Sequence, residues 1–420
     1  MDKTNRKKAI LVVSLLILAV SISSFVMIKV FEGLTAPFGK NSDKKVVYIQ
    51  YLGDVNQIWS VPLDESEPTM IYEAPVGISL LQASHSNDVS PDLVEKVKDK
   101  GMMDFDEFEI RISDLSLSSD RNLLAWQESY EWCPGNYCMG TSSIKIMRLD
   151  KLSIVSTIDT ERLFSNLKWS PSANYLAFDE QQTSNSGTQY HKVWLWNNSD
   201  ESFTTLTDGS NPSWAPSSSL ISVISFDLND NSQKLKIVDI NNPEKQIDVI
   251  GANKIIKEFF GASWSPDGKR LIILGKQSEN PDLSLYIVDT ETFSDGYFLP
   301  SSSAGKYQAP LAWSSNGKWI ATREISSENP FGLIIVDARN GETILNASKL
   351  LGKILSWQWS DDGKKILCVS IDDKSPNIPT INILDVENGN LEVVEYPSSI
   401  GDYISNSNKY FGPIIITITW

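Results

Sequence analysis

Residues 261–276, GASWSPDGKRLIILGK, decide the fold because degraded copies of this stretch recur along almost the whole chain. The segment reads as one hairpin. Ala262 to Trp264 is a short apolar strand, and Ser265-Pro266-Asp267-Gly268-Lys269 carries the chemistry of a tight turn. Pro266 presets φ, Asp267 can accept hydrogen bonds from the backbone ahead of it, and Gly268 tolerates φ > 0. Leu271 to Leu274 is a return strand of the kind buried on both faces.

Aligned on the Trp-Ser step, further copies fall at Leu117-Ser118, Trp169-Ser170, Trp214-Ala215, Trp313-Ser314 and Trp359-Ser360, with a faint last one at Ile404-Ser405. Successive spacings, with Trp264 included, are 52, 45, 50, 49, 46 and 45 residues, the length of a four-stranded propeller blade. Between these hairpins a second signature recurs, an alternating strand that often ends in Asp. QIWSVPLD at 57–64, IKIMRLD at 144–150 and SLYIVDT at 284–290 are examples, and each is followed by a fourth β-rich run such as Thr69 to Glu73 or Glu392 to Glu395. Four strands repeated seven times predict an all-β chain folded as a seven-bladed β-propeller.

The two ends complete one another. Val46 to Gln50 begins a blade that lacks an inner strand, whereas Tyr403 to Trp420 has a hairpin pattern with no blade after it. The expectation is that N- and C-terminal strands share one blade, which removes the open sheet edges that invite aggregation. An open array, or six blades with a stray hairpin, is the other reading.

The motif Trp-Ser-Pro-Asp-Gly-Lys, followed by an apolar strand and then a strand ending in Val-Asp, resembles the blades of TolB-like propellers, a branch of the WD-repeat-like superfamily. The resemblance covers about residues 46 to 420 and is best at 264–269, fair at 313–318 and 359–364, and weak at 117–122 and 404–409. It implies the fold. Such propellers serve as binding scaffolds and also as accessory domains of peptidases, so it leaves the activity open.

Composition narrows the partners. The net charge is −16, and the first 31 residues hold five basic groups against one acidic, so the remainder carries about −20. A domain that acidic lacks the basic footprint of a nucleic-acid binder. Residues 1–8 form a basic tail, and Ala9 to Phe31 is an apolar run long enough to cross a hydrocarbon core of about 30 Å. The cluster of Lys and Arg before this run predicts a cytoplasmic N-terminus and a propeller held outside the cytoplasm at the cell membrane. A cleaved signal peptide, and hence a secreted protein, is the alternative reading of the same segment. Residues 32–45 read as a polar tether to the propeller at 46–420.

Two excursions disturb the repeat, at 74–111 and 128–143, and the up-down path of a blade puts both on one face of the disc. In the first, Ser90 and Pro91 read as N-cap and first residue of a short helix that Gly101 stops. After it, Asp104, Asp106, Glu107 and Glu109 interleave with Phe105 and Phe108. They are either a site for a cation or basic peptide, or a solvated linker whose Phe residues cover the blade edge. In the second, Cys133 and Cys138 flank a Pro-Gly turn and are expected to form a disulfide in an oxidising compartment. That bridge would fix Tyr130, Trp132 and Tyr137, aromatic residues of the type found in binding hot spots and sugar platforms.

Other motifs point to less. The two His residues, His85 and His191, neighbour no G-x-S-x-G nucleophile, so a hydrolase triad is not indicated. Cys133 and Cys138 have no second Cys pair or nearby His to complete a metal site. Asp227 to Asn231 places oxygen atoms at alternate positions but lacks the Gly and Glu of a calcium loop. Cys368 reads as a buried free thiol, and Asn197 and Asn346 lie in Asn-x-Ser sequons. No cofactor is expected. The function expected is that of a membrane-anchored, extracytoplasmic, non-catalytic propeller that binds a protein or cell-envelope glycan. The rival expectations are a glycan hydrolase or lyase using channel carboxylates, and a small-ligand sensor.

Overall fold

The recurring hairpins pair as antiparallel sheets whose inner strands are pinned to their neighbours by tryptophan. In the computed structural model the described residues are 45–52, 55–62, 69–86, 89–104, 106–133, 138–160, 163–183, 189–227, 232–277, 282–299, 306–325, 332–371, 379–394 and 416–418. They belong to one unit, Asp43–Trp420. The apolar run 9–31 lies outside them, and among the described residues no helix is long and apolar enough to cross a membrane.

The fold is an all-β propeller. Seven antiparallel sheets are present, six of four strands and one of five. One of the four-stranded sheets is composite: Lys45–Leu52, Val55–Pro62 and Thr69–Pro75 are joined by the C-terminal strand Ile416–Ile418, with Val46 opposite Ile418 and Tyr48 opposite Ile416. The five remaining four-stranded sheets occupy residues 164–208, 210–248, 256–298, 306–346 and 353–394, and the five-stranded one occupies 77–160.

In five sheets the Trp of the recurring Trp-Ser or Trp-Ala step is nearly buried, and its indole N–H donates to a backbone carbonyl of the preceding sheet. Trp169 reaches Ser116 O at 3.0 Å, Trp214 reaches Lys168 O at 2.9 Å and Trp264 reaches Ser213 O at 3.1 Å. Trp313 bonds Ser263 O at 3.0 Å and Trp359 bonds Ala312 O at 3.2 Å. Each bond contributes about 1 kcal/mol. The seams are continuous hydrophobic clusters, such as Trp264 with Leu271, Ile273, Ile237 and Val249.

The residues after Trp close the turn. Ser265 Oγ donates to Asp267 at 2.6 Å and accepts from Arg270 N at 2.9 Å, and Asp267 also accepts from Lys269 N at 3.1 Å. Ser314 with Asn316, and Ser360 with Asp362, repeat the arrangement. Gly268, Gly317 and Gly363 hold φ of 70°, 71° and 65°, and Arg121, Ala173 and Ser218 take the same conformation at the corresponding positions. Neighbouring turns touch: Ser119 Oγ donates to Pro171 O, Ser218 Oγ accepts from Ser172 N, and Asn316 Nδ2 donates to Gly363 O. Arg121 and Asp361, which flank the composite sheet, form an ion pair at 2.9 Å.

Outside the composite sheet, each inner strand also breaks register a few residues before its Trp or Leu117, for example between Ser113 and Ser116, between Ser210 and Ser213, and between Gln308 and Leu311. At these bulges Asp114, Asn166 and Asn211 adopt φ of 52°, 58° and 53°. Residues with short polar side chains tolerate that conformation because they bond locally.

Candidate functional site

The second excursion is not a loop. The strands Leu123–Trp132 and Met139–Arg148 stay paired to their ends, with Glu131 opposite Gly140 and Trp132 opposite Met139. The Cys133–Cys138 disulfide lies immediately beyond this last pair. The reason the strands stay paired is lateral support. The first excursion lays an extra strand, Gly77–Ser79, beside Glu107–Leu117 and folds two helices over the extended sheet.

Helix α1, Leu80–Ala83, starts at a capping box in which Ser79 Oγ accepts from Gln82 N and Gln82 Oε1 accepts from Ser79 N. Helix α2, Pro91–Asp99, has Ser90 as N-cap and Pro91 in its first turn, and Gly101 follows with φ of 94°. Leu80, Val89, Leu93, Val97, Met102, Phe108, Ile110 and Tyr130 form one hydrophobic cluster, with Trp132 and Met139 packed against it. The two excursions are thus one small cap with its own core.

This core corrects the reading of Tyr130. The residue is 1% exposed and points into the cap, where its hydroxyl donates to Glu128 Oε2 at 2.6 Å, so it is no surface platform. Trp132 is half-buried against the same cluster. Tyr137 lies outside the described residues, as does Phe105. Phe108 is buried in the cap, whereas Asp104, Asp106, Glu107 and Glu109 are exposed. Asp106 Oδ2 accepts from Met103 N at 2.7 Å, and Glu109 pairs with Arg111 at 2.8 Å.

Leu81 N donates to Asp104 O at 3.1 Å, which brings Leu81 and Met103, 45% and 71% exposed, into one patch with Asp104 and Asp106. The patch was missed in the sequence because Leu81 and Met103 belong to different segments. The capping pattern Ser79-x-x-Gln82 was the available signal for the helix that presents Leu81.

Beneath the cap lies a buried polar group also missed from sequence. Lys145 and Glu128 pair at 2.8 Å, each side chain 2% exposed. Glu128 further accepts from Trp126 Nε1 at 3.0 Å, and Lys145 donates to Tyr72 OH of the composite sheet at 2.9 Å. Burial, reinforced by the Glu128 charge, raises the Tyr72 phenol pKa far above its ordinary value. The network joins the composite sheet to the capped one. Its signal was the alternation Trp126, Glu128, Tyr130, Trp132, which puts a carboxylate on an aromatic face.

A second feature is a cavity of about 870 Å³ lined by the inner strands, through residues 115–117, 166–171, 211–214, 260–263, 309–311 and 357–358, together with Ser119. None of these described lining residues is Asp, Glu, His or Cys, and Lys168 is the charged one. Asp114, beside the cavity at its bulge, accepts from Leu167 N at 2.9 Å, and burial raises its carboxyl pKa against the opposing pull of Lys168.

Buried Asp179 accepts from Ser165 Oγ, Asn166 Nδ2 and Asn211 N, which ties three bulge residues together, and His191 Nδ1 stands 3.8 Å from it. His85 Nδ1 lies 2.7 Å from Leu81 O in an exposed turn. Cys368 is a buried free thiol whose pKa burial pushes up. Asn346 Nδ2 donates to Glu324 at 2.9 Å, while Asn197 Oδ1 accepts from Ser199 N and Oγ in a turn. Residues 228–231 lie outside the described residues, and no cluster of three metal-ligating side chains occurs among the described ones.

Comparison with solved structures places the fold. The chain is similar to an oligogalacturonate lyase in complex with manganese, at 14% identity and a TM-score of 0.51, covering 82% of this chain and 84% of that one. It is similar to prolyl endopeptidases at 11% identity and a TM-score of 0.51, covering 86% of this chain but only 51% of theirs. TolB from Acinetobacter baumannii aligns at 13% identity and a TM-score of 0.44, over 83% of this chain and 78% of that one. No family model and no curated protein matches the sequence. At these identities the shared property is the propeller fold, and the activities of those proteins differ among themselves.

Proposed function

We propose that this protein is a non-catalytic binding scaffold, a closed seven-bladed ring that carries its partner site on the cap formed by residues 76–109 and the hairpin 128–143. The observation that carries the reading is the cap itself. A ring of four-stranded blades needs no fifth strand and no helical core on one blade, yet here about thirty residues are spent on one ordered addition. The cap presents an apolar patch, Leu81 and Met103, rimmed by Asp104 and Asp106. Such a patch suits a protein segment with apolar and basic side chains better than a glycan, which would want an exposed aromatic face.

Ring closure in this reading runs through the composite sheet, whose inner strand Ile416–Ile418 stands between the sheets at 353–394 and 77–160. Residues 9–31 would anchor the ring in a membrane with the cap outside the cytoplasm. The run of apolar residues, the basic residues before it and the Cys133–Cys138 disulfide support that placement.

The test is affinity capture by the full chain in its native membrane, read by quantitative mass spectrometry. Wild type should enrich a reproducible partner, and Leu81→Asp with Met103→Asp, both at exposed positions, should lose it while the far-ultraviolet spectrum stays unchanged. Equal capture by the double variant would place the site elsewhere and overturn the reading.

A further inference from the structure

In six of the seven sheets the inner strand places one residue immediately before the stapling Trp, or Leu117: Ser116, Lys168, Ser213, Ser263, Ala312 and Gln358. Their registers correspond, since Ser116 faces Ala125, Lys168 faces Ala177, Ser213 faces Ser222 and Gln358 faces Leu367. All but Ala312 line the central cavity. Five of these six equivalent positions are neutral. Lys168 alone among them carries charge, in a chain of net charge −16.

Lys168 is exposed and forms no ion pair among the described residues. Its neighbour Asp114 is half-buried, accepts from the Leu167 amide and offsets part of the Lys168 charge. An ammonium group beside a low-dielectric wall attracts an anion more strongly than one on open surface. Trp357 also lines the cavity. Apolar surface adjoins both, from Phe260, Pro310 and Leu311. A volume of about 870 Å³ is ample for a small organic molecule.

We propose that the central cavity is a binding site for a small organic anion, with its charged group on Lys168 and its apolar body against Phe260, Pro310 and Trp357. The site is separate from the cap and owes nothing to the partner reading. The neutral ring positions supply hydroxyl and amide groups that orient the ligand, and Lys168 sets the end at which its charge lies.

The probe is 2-naphthoate, with 2-naphthamide and 2-naphthylmethylamine as neutral and cationic bodies of the same shape. Titration calorimetry on the full chain in nanodiscs, against empty nanodiscs, should give a dissociation constant of about 1 mM or tighter for naphthoate. The amide should bind about tenfold more weakly, as should naphthoate to Lys168→Gln, while Lys168→Arg retains binding. Gln358→Glu, which adds a carboxylate to the cavity, should weaken naphthoate and spare the amide. Absence of naphthoate binding, equal affinity for anion and amide, preference for the amine, or unchanged affinity in Lys168→Gln would each overturn the proposal. The side chain of Lys168 is exposed, so its replacement leaves the fold intact, and an unchanged melting curve checks this.

Discussion

The Glu128–Lys145 pair offers a perturbation whose size can be worked from the structure. In Glu128→Gln the side-chain volume stays nearly constant, but three donors converge on the group that changes: Trp126 Nε1, Tyr130 OH and Lys145 Nζ. An amide has one oxygen to offer them and adds an N–H₂ where an acceptor is needed. Lys145 keeps Tyr72 OH at 2.9 Å and the Tyr72 ring 5.3 Å away, neither of which replaces a carboxylate. A buried charge stripped of its partner costs about 3–5 kcal/mol. Lys145→Met alone should cost about as much, because it strands the carboxylate instead. Glu128→Gln combined with Lys145→Met removes both charges, and its cost should fall below that of either single change. The urea midpoint, followed by tryptophan fluorescence and by near-ultraviolet circular dichroism, measures all four proteins. Strictly additive losses, or single changes that cost less than about 1 kcal/mol, would refute the inference that the pair acts as one buried unit.

Three further outcomes follow from the repeats. Trp264→Phe removes the donor to Ser213 O and part of a buried ring, so it should lower stability by about 2–3 kcal/mol, measured by urea unfolding. Gly268→Ala and Gly363→Ala both force a side chain to φ near 70°, but the new Cβ at 363 would also meet Asn316 N at 2.5 Å, against 3.8 Å to Pro216 at 268. The first should therefore cost about 1 kcal/mol and the second more, whereas Ala173→Gly should relieve strain, all read from thermal melts. Hydrogen bonds from Ser265 and Lys269 hold the Asp267 carboxyl pKa below its ordinary value, and Ser360 and Lys364 do the same for Asp362. Their contribution is present above about pH 4 and fades as pH falls through the depressed folded values. Asp267→Asn with Asp362→Asn should flatten the acid limb of a stability profile without breaking the turns, since Asn316 makes the same bonds.

The hairpins, the helix from Ser90 to Gly101 and the pairing of the chain ends could be read from sequence because each rests on local chemistry: turn residues, caps and alternation. The cap could not. Tyr130 alternates like an exposed aromatic on a blade edge, and only the packing of Leu80, Val97 and Phe108 over it, from fifty residues to twenty residues earlier, makes it core. The extension of the strands through 132 and 139 depends on the same long-range support. The cavity was hidden for another reason. Its lining is set by bulges at Asp114, Asn166 and Asn211, and a bulge depends on strand register, which the spacing of Trp-Ser steps does not report.

The central claim, that binding is the work of the cap, is tested most directly by photo-crosslinking. A benzoylphenylalanine placed at Met103 in the full chain, with a control at exposed Val393 in an outer strand of the sheet at 353–394, reads both surfaces in one measurement. The account predicts a discrete adduct from position 103 and none from 393 in native membranes. Adducts of equal yield at both positions, or none at 103, would contradict it.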